Sequence, residues 1–330
     1  MDVLSQAVLG ASLSQSFAKD KSKQLTAMLI GALAGMASDL DVLIYSTDDP
    51  LLFLEFHRQF THSLIFIPFG ALLCALVFYP FVKNKLTFSH IYLFSFLGFA
   101  THGLLDACTS YGTQLFWPFT NARIAWDIVS IIDPLFTIPV LVGIIFAVYK
   151  SNYLYARVVF IYAVVFLCLG FVQKHRAENV LYELAQQRGH QVERIIVKPS
   201  FANRHVWKLI YEYDGSYYVD AAKLLMQSKV ITGTSIKKLN VTSDFPWLLK
   251  DNQHTKDIER FRWFSNDYLA VNPENPNIII DVRYSFLPND IKMMWGIGLD
   301  KSKAETAHTS FIVDTKLDKQ TRKKFIDILF

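Results

Sequence analysis

From Leu64 to Val82 the chain runs for 19 residues without a formal charge. A bilayer's hydrocarbon core takes about 20 mostly apolar helical residues to cross. No water is available there to satisfy a loop or an open strand edge, so such a run is confined to a helix. With Ser63 included, the predicted span is 63–82, and comparable runs cover 88–107, 128–149 and 153–172. The stretch 25–45 also qualifies, although it holds Asp39 and Asp41. Residues 2–18 are weakly apolar and are expected to form a sixth helix, spanning or interfacial. After residue 172 the chain becomes rich in charge and turn residues. The expected architecture is an α-helical integral membrane domain of five or six helices over 1–172. A small β-rich (α+β) soluble domain over 173–330 follows it.

The short basic loops orient these helices. Lys19, Lys21, Lys23, Lys83, Lys85, Lys150 and Arg157 fall in loops on one side, and only Arg58 and Arg123 on the other. The seven-to-two bias places the first set in the cytoplasm. Residues 173–330 then emerge outside, which makes the chain a multi-pass protein of the cytoplasmic (inner) membrane with an extracytoplasmic C-terminal domain. The net charge of +4 is small and the basic residues mark topology, so no nucleic-acid partner is expected. Cys74, Cys108 and Cys168 lie in apolar stretches without metal-like spacing and read as small hydrophobes. "MDVLSQAVLG" lacks a basic n-region, so no cleavable signal peptide is expected.

With that orientation, the unusual polar residues of four segments converge on the outer membrane face. Polar side chains near hydrocarbon are costly and usually functional. His102 and Asp106, at i and i+4, share one helical face and could chelate one divalent metal. His57 and His62 are five residues apart, which on a continuous helix turns their rings roughly 140° from each other. They converge only if Thr61 or Ser63 caps a helix and His57 sits in the loop before it. Asp39 lies 14 residues past Leu25, still within the outer leaflet, where a metal or a basic partner would compensate it. Asp41 would complete or bridge such a site. Asp127 and Asp133 cannot face one point on a regular helix, and Pro134 biases Asp133 away from helical geometry. Asp133 is therefore favoured as a ligand, a supporting partner or a general base. Imidazole with carboxylate suits zinc first, with manganese or iron as alternatives.

The stretches "MDVLSQAVLGASL", "GMASDLDVL", "HRQFTHSL", "THGLLDACTSYGTQLFWPF" and "IIDPLFTIP" resemble, in order, the motifs of bacterial inner-membrane-associated, metal-dependent hydrolases, a family also labelled LexA-binding hydrolases. The resemblance covers residues 1 to about 145. It implies a membrane-embedded helical domain, a hydrolase, and motif residues at Asp39, Asp41, His57, His62, His102, Asp106 and Asp133. Many relatives carry histidine where this chain has Gln6, which bears on the ligand count. The repressor partner is not adopted, because the orientation puts the conspicuous surfaces outside.

In the second domain, "WKLIYEY", "DG" and "SYYVD" read as a strand, a tight turn and a strand. "NIIIDVRYSFL" and "KMMWGIGLD" read as further strands, and 174–190 as a helix ended by Gly189. The aromatics Trp207, Tyr211, Tyr213, Tyr217 and Tyr218 fit a packed core better than a binding face. The basic segment 316–325 reads as a solvated helix face.

Two functions follow from this. One is a hydrolase with a His/Asp metal site, ligated by His57, His62, His102, Asp106, Asp39 and Asp41, with Asp133 and Asp41 as catalytic groups. Membrane lipid or a lipid-linked or envelope ester would be its substrate. The other is a non-enzymatic, metal-stabilised anchor that presents the β domain to envelope partners.

Overall fold

A computed structural model describes residues 1–316 and 318–329. Leu317, within the segment expected to be a solvated helix face, lies outside the described residues, as does Phe330. The chain divides into two compact units. The first comprises Met1–Leu43, Phe56–Val172 and Phe201–Arg204; the second comprises Ile44–Glu55, Gln173–Ser200 and His205–Phe330.

The first unit is helical: α1 (Val3–Phe17), α2 (Gln24–Met36), α4 (Ile67–Val82), α5 (Phe88–Ala107), α6 (Pro134–Tyr149) and the start of α7 (Tyr153–Gln187). The short α3 (Leu52–Phe56) lies in the chain between α2 and α4. Among the described residues, four segments are long and apolar enough to cross a membrane: Lys21–Leu43, Leu64–Val82, Phe88–Ala107 and Tyr153–Gln187. Their outward faces fit that environment, since α4 exposes Phe69, Leu73, Leu76, Val77 and Phe81. Inside-out polarity marks α1, which buries Ser5, Gln6, Ser12, Ser14 and Gln15 and exposes Val3, Leu4 and Phe17. The buried groups find partners on neighbouring helices: Ser14 Oγ donates to the Phe94 carbonyl at 2.8 Å and Gln15 Nε2 to the Ile144 carbonyl at 3.3 Å.

Backbone contact between glycines lets three helices meet this closely. A Cβ on Gly98 of α5 would lie 2.5 Å from the carbonyl oxygen of Gly31 in α2, and one on Gly10 of α1 would meet the same oxygen at 2.5 Å. Small residues at helix crossings replace the missing hydrophobic drive between helices in lipid with dispersion between backbones.

Two expected spans are shortened. The α-helix of 25–45 stops at Met36, and a tighter 3-10 segment, Ala37–Leu43, carries Asp39 and Asp41. The run 128–149 begins its helix only at Pro134, leaving α6 at 16 residues. Asp133 caps it, accepting from the Leu135 and Phe136 amides at 3.0 and 3.4 Å. Proline's fixed φ suits the first helical position and disfavours helix in the residue before it. The backbone before the cap is satisfied otherwise, with the Ile128 amide bonded to the Cys108 carbonyl at 2.9 Å.

The second unit holds two four-stranded antiparallel sheets. One runs in order through β1 (Arg194–Pro199), β2 (Val206–Tyr213), β3 (Ser216–Leu224) and β4 (Ser228–Lys237); the other through β5 (Leu269–Asn272), β6 (Asn275–Asp281), β7 (Trp295–Gly298) and β8 (Ser310–Val313). Helices α8 (Val241–Asp244), α9 (Gln253–Phe264) and α10 (Lys319–Leu329) complete it. The Asp214-Gly215 hairpin has positive φ at both residues (47° and 63°), as its tight turn demands. The helix expected over 174–190 is instead the continuation of α7, and Gly189 follows its end with φ 72°. β2 is buried on both faces. Trp207, Leu209 and Tyr211 pack with Ala177, Leu181 and Ala185 of α7, while Ile210 packs with Tyr268, Ala270 and Ile280. The aromatics Trp207, Tyr211 and Tyr217 are core residues.

The loop leading from Asp41 toward His57 belongs to this second unit. Arg260 of α9 holds it with a two-pronged pair to Asp49 at 2.8 and 2.9 Å and a contact to Glu55 at 2.5 Å. Phe53 adds an edge-to-face contact with Phe311.

Lys208 of β2 is fully buried, donating to Ser285 Oγ and the Asp290 carbonyl at 2.7 Å each. Burial pushes its ammonium down from 10.5 to about 7, against the opposing pull of Asp290 and Asp281. Between pH 7 and 10.5 the unfolded chain therefore binds more protons than the folded one, and stability must rise with pH across that window. A thermal melt of the wild type should climb by several degrees, about 2–4 °C per kcal/mol, between pH 7 and pH 10. The same series on Lys208→Met should be flatter, and equal slopes in both would contradict this assignment.

Candidate metal centre

The site is assembled from three stretches of the first unit. The 3-10 segment after α2 brings Asp39 and Asp41. The chain between α3 and α4 brings His57, His62 and the 3-10 turn Phe60–His62, and α5 brings His102 and Asp106. Arg58, at φ 68°, reverses the chain between the two histidines, so they do not lie on one helix and their ring centroids come within 5.8 Å. Neither Thr61 nor Ser63 makes a helix-capping bond. The Thr61 hydroxyl instead donates to Asp41 Oδ2 at 2.7 Å.

Four ligand atoms face one another. His62 Nε2 lies 3.4 Å from Asp39 Oδ1 and 3.4 Å from Asp106 Oδ2; His102 Nε2 lies 3.2 Å from Asp39 Oδ1 and 3.8 Å from Asp106 Oδ2. Zinc bonds of about 2.0–2.2 Å at the tetrahedral angle give edges of roughly 3.3–3.6 Å. The four distances bracket that range. His62, His102 and Asp106 are buried, and Asp39 is about a quarter exposed. His62 Nε2 is buried without a hydrogen-bond partner, while the buried Asp106 Oδ2 has the Arg58 guanidinium 3.0 Å away as its ionic partner. Buried polar atoms are normally satisfied, so an orphan nitrogen aimed at facing carboxylates fits a bound cation.

The remaining atoms of these side chains are committed outward. His102 Nδ1 meets the Gly35 carbonyl of α2 at 2.5 Å. His62 Nδ1 lies 2.9 Å from Thr61 Oγ1 and 3.2 Å from Asp41 Oδ2. Both contacts fix the tautomer that leaves Nε2 for a ligand, the usual arrangement behind metal-bound histidine. Asp106 Oδ1 receives Gln6 Nε2 at 2.9 Å and the amino group of Met1. Arg58 Nε sits 3.0 Å from Asp106 Oδ2. Burial would lower the His62 pKa, but the carboxylates of Asp106, Asp39 and Asp41 outweigh it and push the ring up to about 10. The pocket thus favours positive charge at this point.

Asp39, Asp41 and His57 form a second set of close ligand atoms. Asp41 is heavily used. It accepts from the Arg58 amide at 3.0 Å and from Thr61, and it pairs with His57 Nδ1 at 2.7 Å. His57 is about 30% exposed. All six residues read from the sequence as ligands are brought together in these two overlapping groups. Asp133 falls in neither group: it caps α6, and its charge acts on Arg204.

The residues missed in the sequence are those that surround the ligands. By sequence Arg58 reads as a loop charge, although it stands within "FHRQFTH" between two candidate ligands. Thr109 and Met1 carry no spacing signal of their own. Thr109 holds Arg58 Nη1 at 3.1 Å, and the Arg58 guanidinium lies over the Tyr111 ring at 5.2 Å.

A family model described as "YdjM inner membrane protein" matches residues 1–177, more than half of the chain and including every residue of the centre. The chain belongs to the YdjM inner membrane protein family. Membership and the four apolar segments make it a membrane protein. It is also 26% identical over 195 residues to "Uncharacterized protein YfhP" of Bacillus subtilis (strain 168), an alignment covering 58% of each protein. No solved structure matches. The YdjM match describes a membrane protein and carries neither the hydrolase activity nor the repressor binding implied by the motif resemblance.

Proposed function

We propose that this YdjM-family protein is a membrane-bound, metal-dependent hydrolase whose centre opens to the outer face of the cytoplasmic membrane. The reading is carried by one observation: two imidazole nitrogens and two carboxylate oxygens whose four nitrogen–oxygen separations are 3.2–3.8 Å, with His62 Nε2 buried and without a hydrogen bond. His62, His102, Asp39 and Asp106 would hold the ion, and a two-nitrogen, two-oxygen set of this geometry fits zinc best, with manganese or iron compatible in ligand type. A divalent ion there supplies a Lewis acid for an ester or phosphoester oxygen and acidifies water at neutral pH.

The protein's own groups supply the rest. Asp41 orients His57 and His62 at once, and the partly exposed His57 is placed to take and return a proton. Geometry favours this pair over Asp133 as the proton-transfer group. Arg58 and the Met1 amine balance the buried charge of Asp106. Access runs past Asp39 and His57, the two least buried members. The basic-loop bias puts this end of the helices outside, where a lipid or envelope phosphoester or acyl ester is the matching substrate class.

The near-complete burial of His62, His102 and Asp106 favours a second reading, a closed structural ion in an anchor that presents the β domain. One series separates the two. Elemental analysis should find about one transition metal per wild-type chain and none in His62→Ala, and a phosphoester and lipid-ester screen should show turnover only in the loaded protein. Metal without turnover selects the anchor, and no metal in an intact wild type eliminates both. A reporter fused after Phe330 should be active only in its extracytoplasmic form.

A further inference from the structure

The turn between β3 and β4 exposes two large apolar side chains. Leu225 is 48% exposed and Met226 entirely so. The turn is not loose. Leu224 is buried in the cluster with Ala177, Val180 and Leu181 of α7, Gln173 Nε2 donates to the Leu224 carbonyl at 3.3 Å, and Arg176 donates to the Leu225 carbonyl. A core residue and two side chains of α7 thus hold Leu225 and Met226 outward.

The point of attachment on α7 sets the depth. The apolar run of α7 ends in the exposed residues Leu169, Phe171 and Val172, and Gln173 is the next residue. Arg176 lies four residues past Val172, about 6 Å along the helix. The polar headgroup layer on each side of a bilayer is about 5–7 Å thick. The turn is therefore fastened to the part of α7 that passes through the headgroups.

Charge agrees with that placement. Lys223 and Lys229 sit directly opposite each other across β3 and β4 at the base of the turn. Like charges in that position repel and are normally avoided. No acidic residue occurs from Ala221 to Ser243 to compensate them, and Arg176, bonded to the Leu225 carbonyl, adds to the same basic group. Anionic headgroups in the leaflet that α7 leaves would supply the missing counter-charge.

We propose that the β3–β4 turn is a membrane-interface anchor. Leu225 and Met226 insert at the acyl-chain boundary, and Lys223 and Lys229 engage anionic phospholipid headgroups of the bilayer that α7 leaves. The anchor is independent of the metal centre.

A nitroxide on Met226→Cys in a Cys168→Ser background tests it, with the full chain reconstituted at one copy per nanodisc in phosphatidylglycerol-containing lipid. Cys74 and Cys108 are buried and Cys168 is exposed. The reference label is on Lys237→Cys, at the far end of β4 and about 30 Å away. Label 226 should collide with a water-soluble nickel complex several-fold less, and with oxygen several-fold more, than label 237. Adding Lys223→Gln and Lys229→Gln should move label 226 back toward water in anionic discs but not in phosphatidylcholine discs. Nickel access equal to that of label 237 overturns the anchor, as does protection from both probes, which would mean burial in protein. Indifference to the lysine pair overturns the headgroup contact.

Discussion

Asp106→Asn should purify without stoichiometric metal, with affinity lowered by at least about 100-fold, above the 10–100-fold typical for losing a supporting partner of a ligand. The substitution keeps the shape of the side chain and removes its charge. It loses the oxygen that lies 3.4 Å from His62 Nε2, and it strands the Arg58 guanidinium at 3.0 Å and the Met1 amine in a buried site. Removing one partner of a buried charged group costs about 3–5 kcal/mol, so the melting temperature should fall with the metal content. Asp48→Asn, at an exposed loop position, is the matched control. Chelator competition on the detergent-solubilised protein reads the affinity directly. Wild-type metal affinity in Asp106→Asn would remove the carboxylate from the ligand set and undo the four-atom centre.

Gly98→Ala should damage stability and metal binding together, although it touches no ligand. The added methyl group would lie 2.5 Å from the Gly31 carbonyl oxygen and 2.9 Å from the Gly31 Cα. Both are backbone atoms, so no side chain can swing aside and α2 and α5 must separate. Overpacking of this kind costs about 1–3 kcal/mol and sometimes more. Gly98 precedes His102 by one helical turn, and Asp39 follows α2 directly. Movement between these helices therefore widens the 3.2 Å gap between His102 Nε2 and Asp39 Oδ1. Thermal denaturation in detergent and metal titration should both deteriorate. A variant that melts lower while binding metal normally would show that the glycine crossing and the centre are mechanically separate.

Long apolar runs, the change of composition near residue 172 and the Asp-Gly hairpin were legible because each rests on local rules: hydrocarbon admits only helices, and tight turns demand positive φ. The start of α6 was less legible. Hydropathy continues through Ile128, but Pro134 and the Asp133 cap decide where the helix begins. The candidate ligands were legible as residue types, since polar groups near hydrocarbon are costly without compensation. Their individual duties were not. The sequence reads Asp41 as a completing or bridging ligand and a catalytic group and His57 as a ligand, yet Asp41 gathers His57, Thr61 and the Arg58 amide around itself.

By itself, the sequence determined that the first half is helical and membrane-embedded and that a β-rich unit follows, and it singled out the histidines and aspartates of the candidate centre. Tertiary structure alone decided which nitrogen and which oxygen face the common point. That choice depends on contacts between residues distant in the chain, such as His102 with the Gly35 carbonyl and Gln6 with Asp106. Hydropathy and spacing register how apolar a segment is and which side chains share its face. They do not register the hydrogen bond on the far side of an imidazole, and that bond sets which nitrogen is left for an ion.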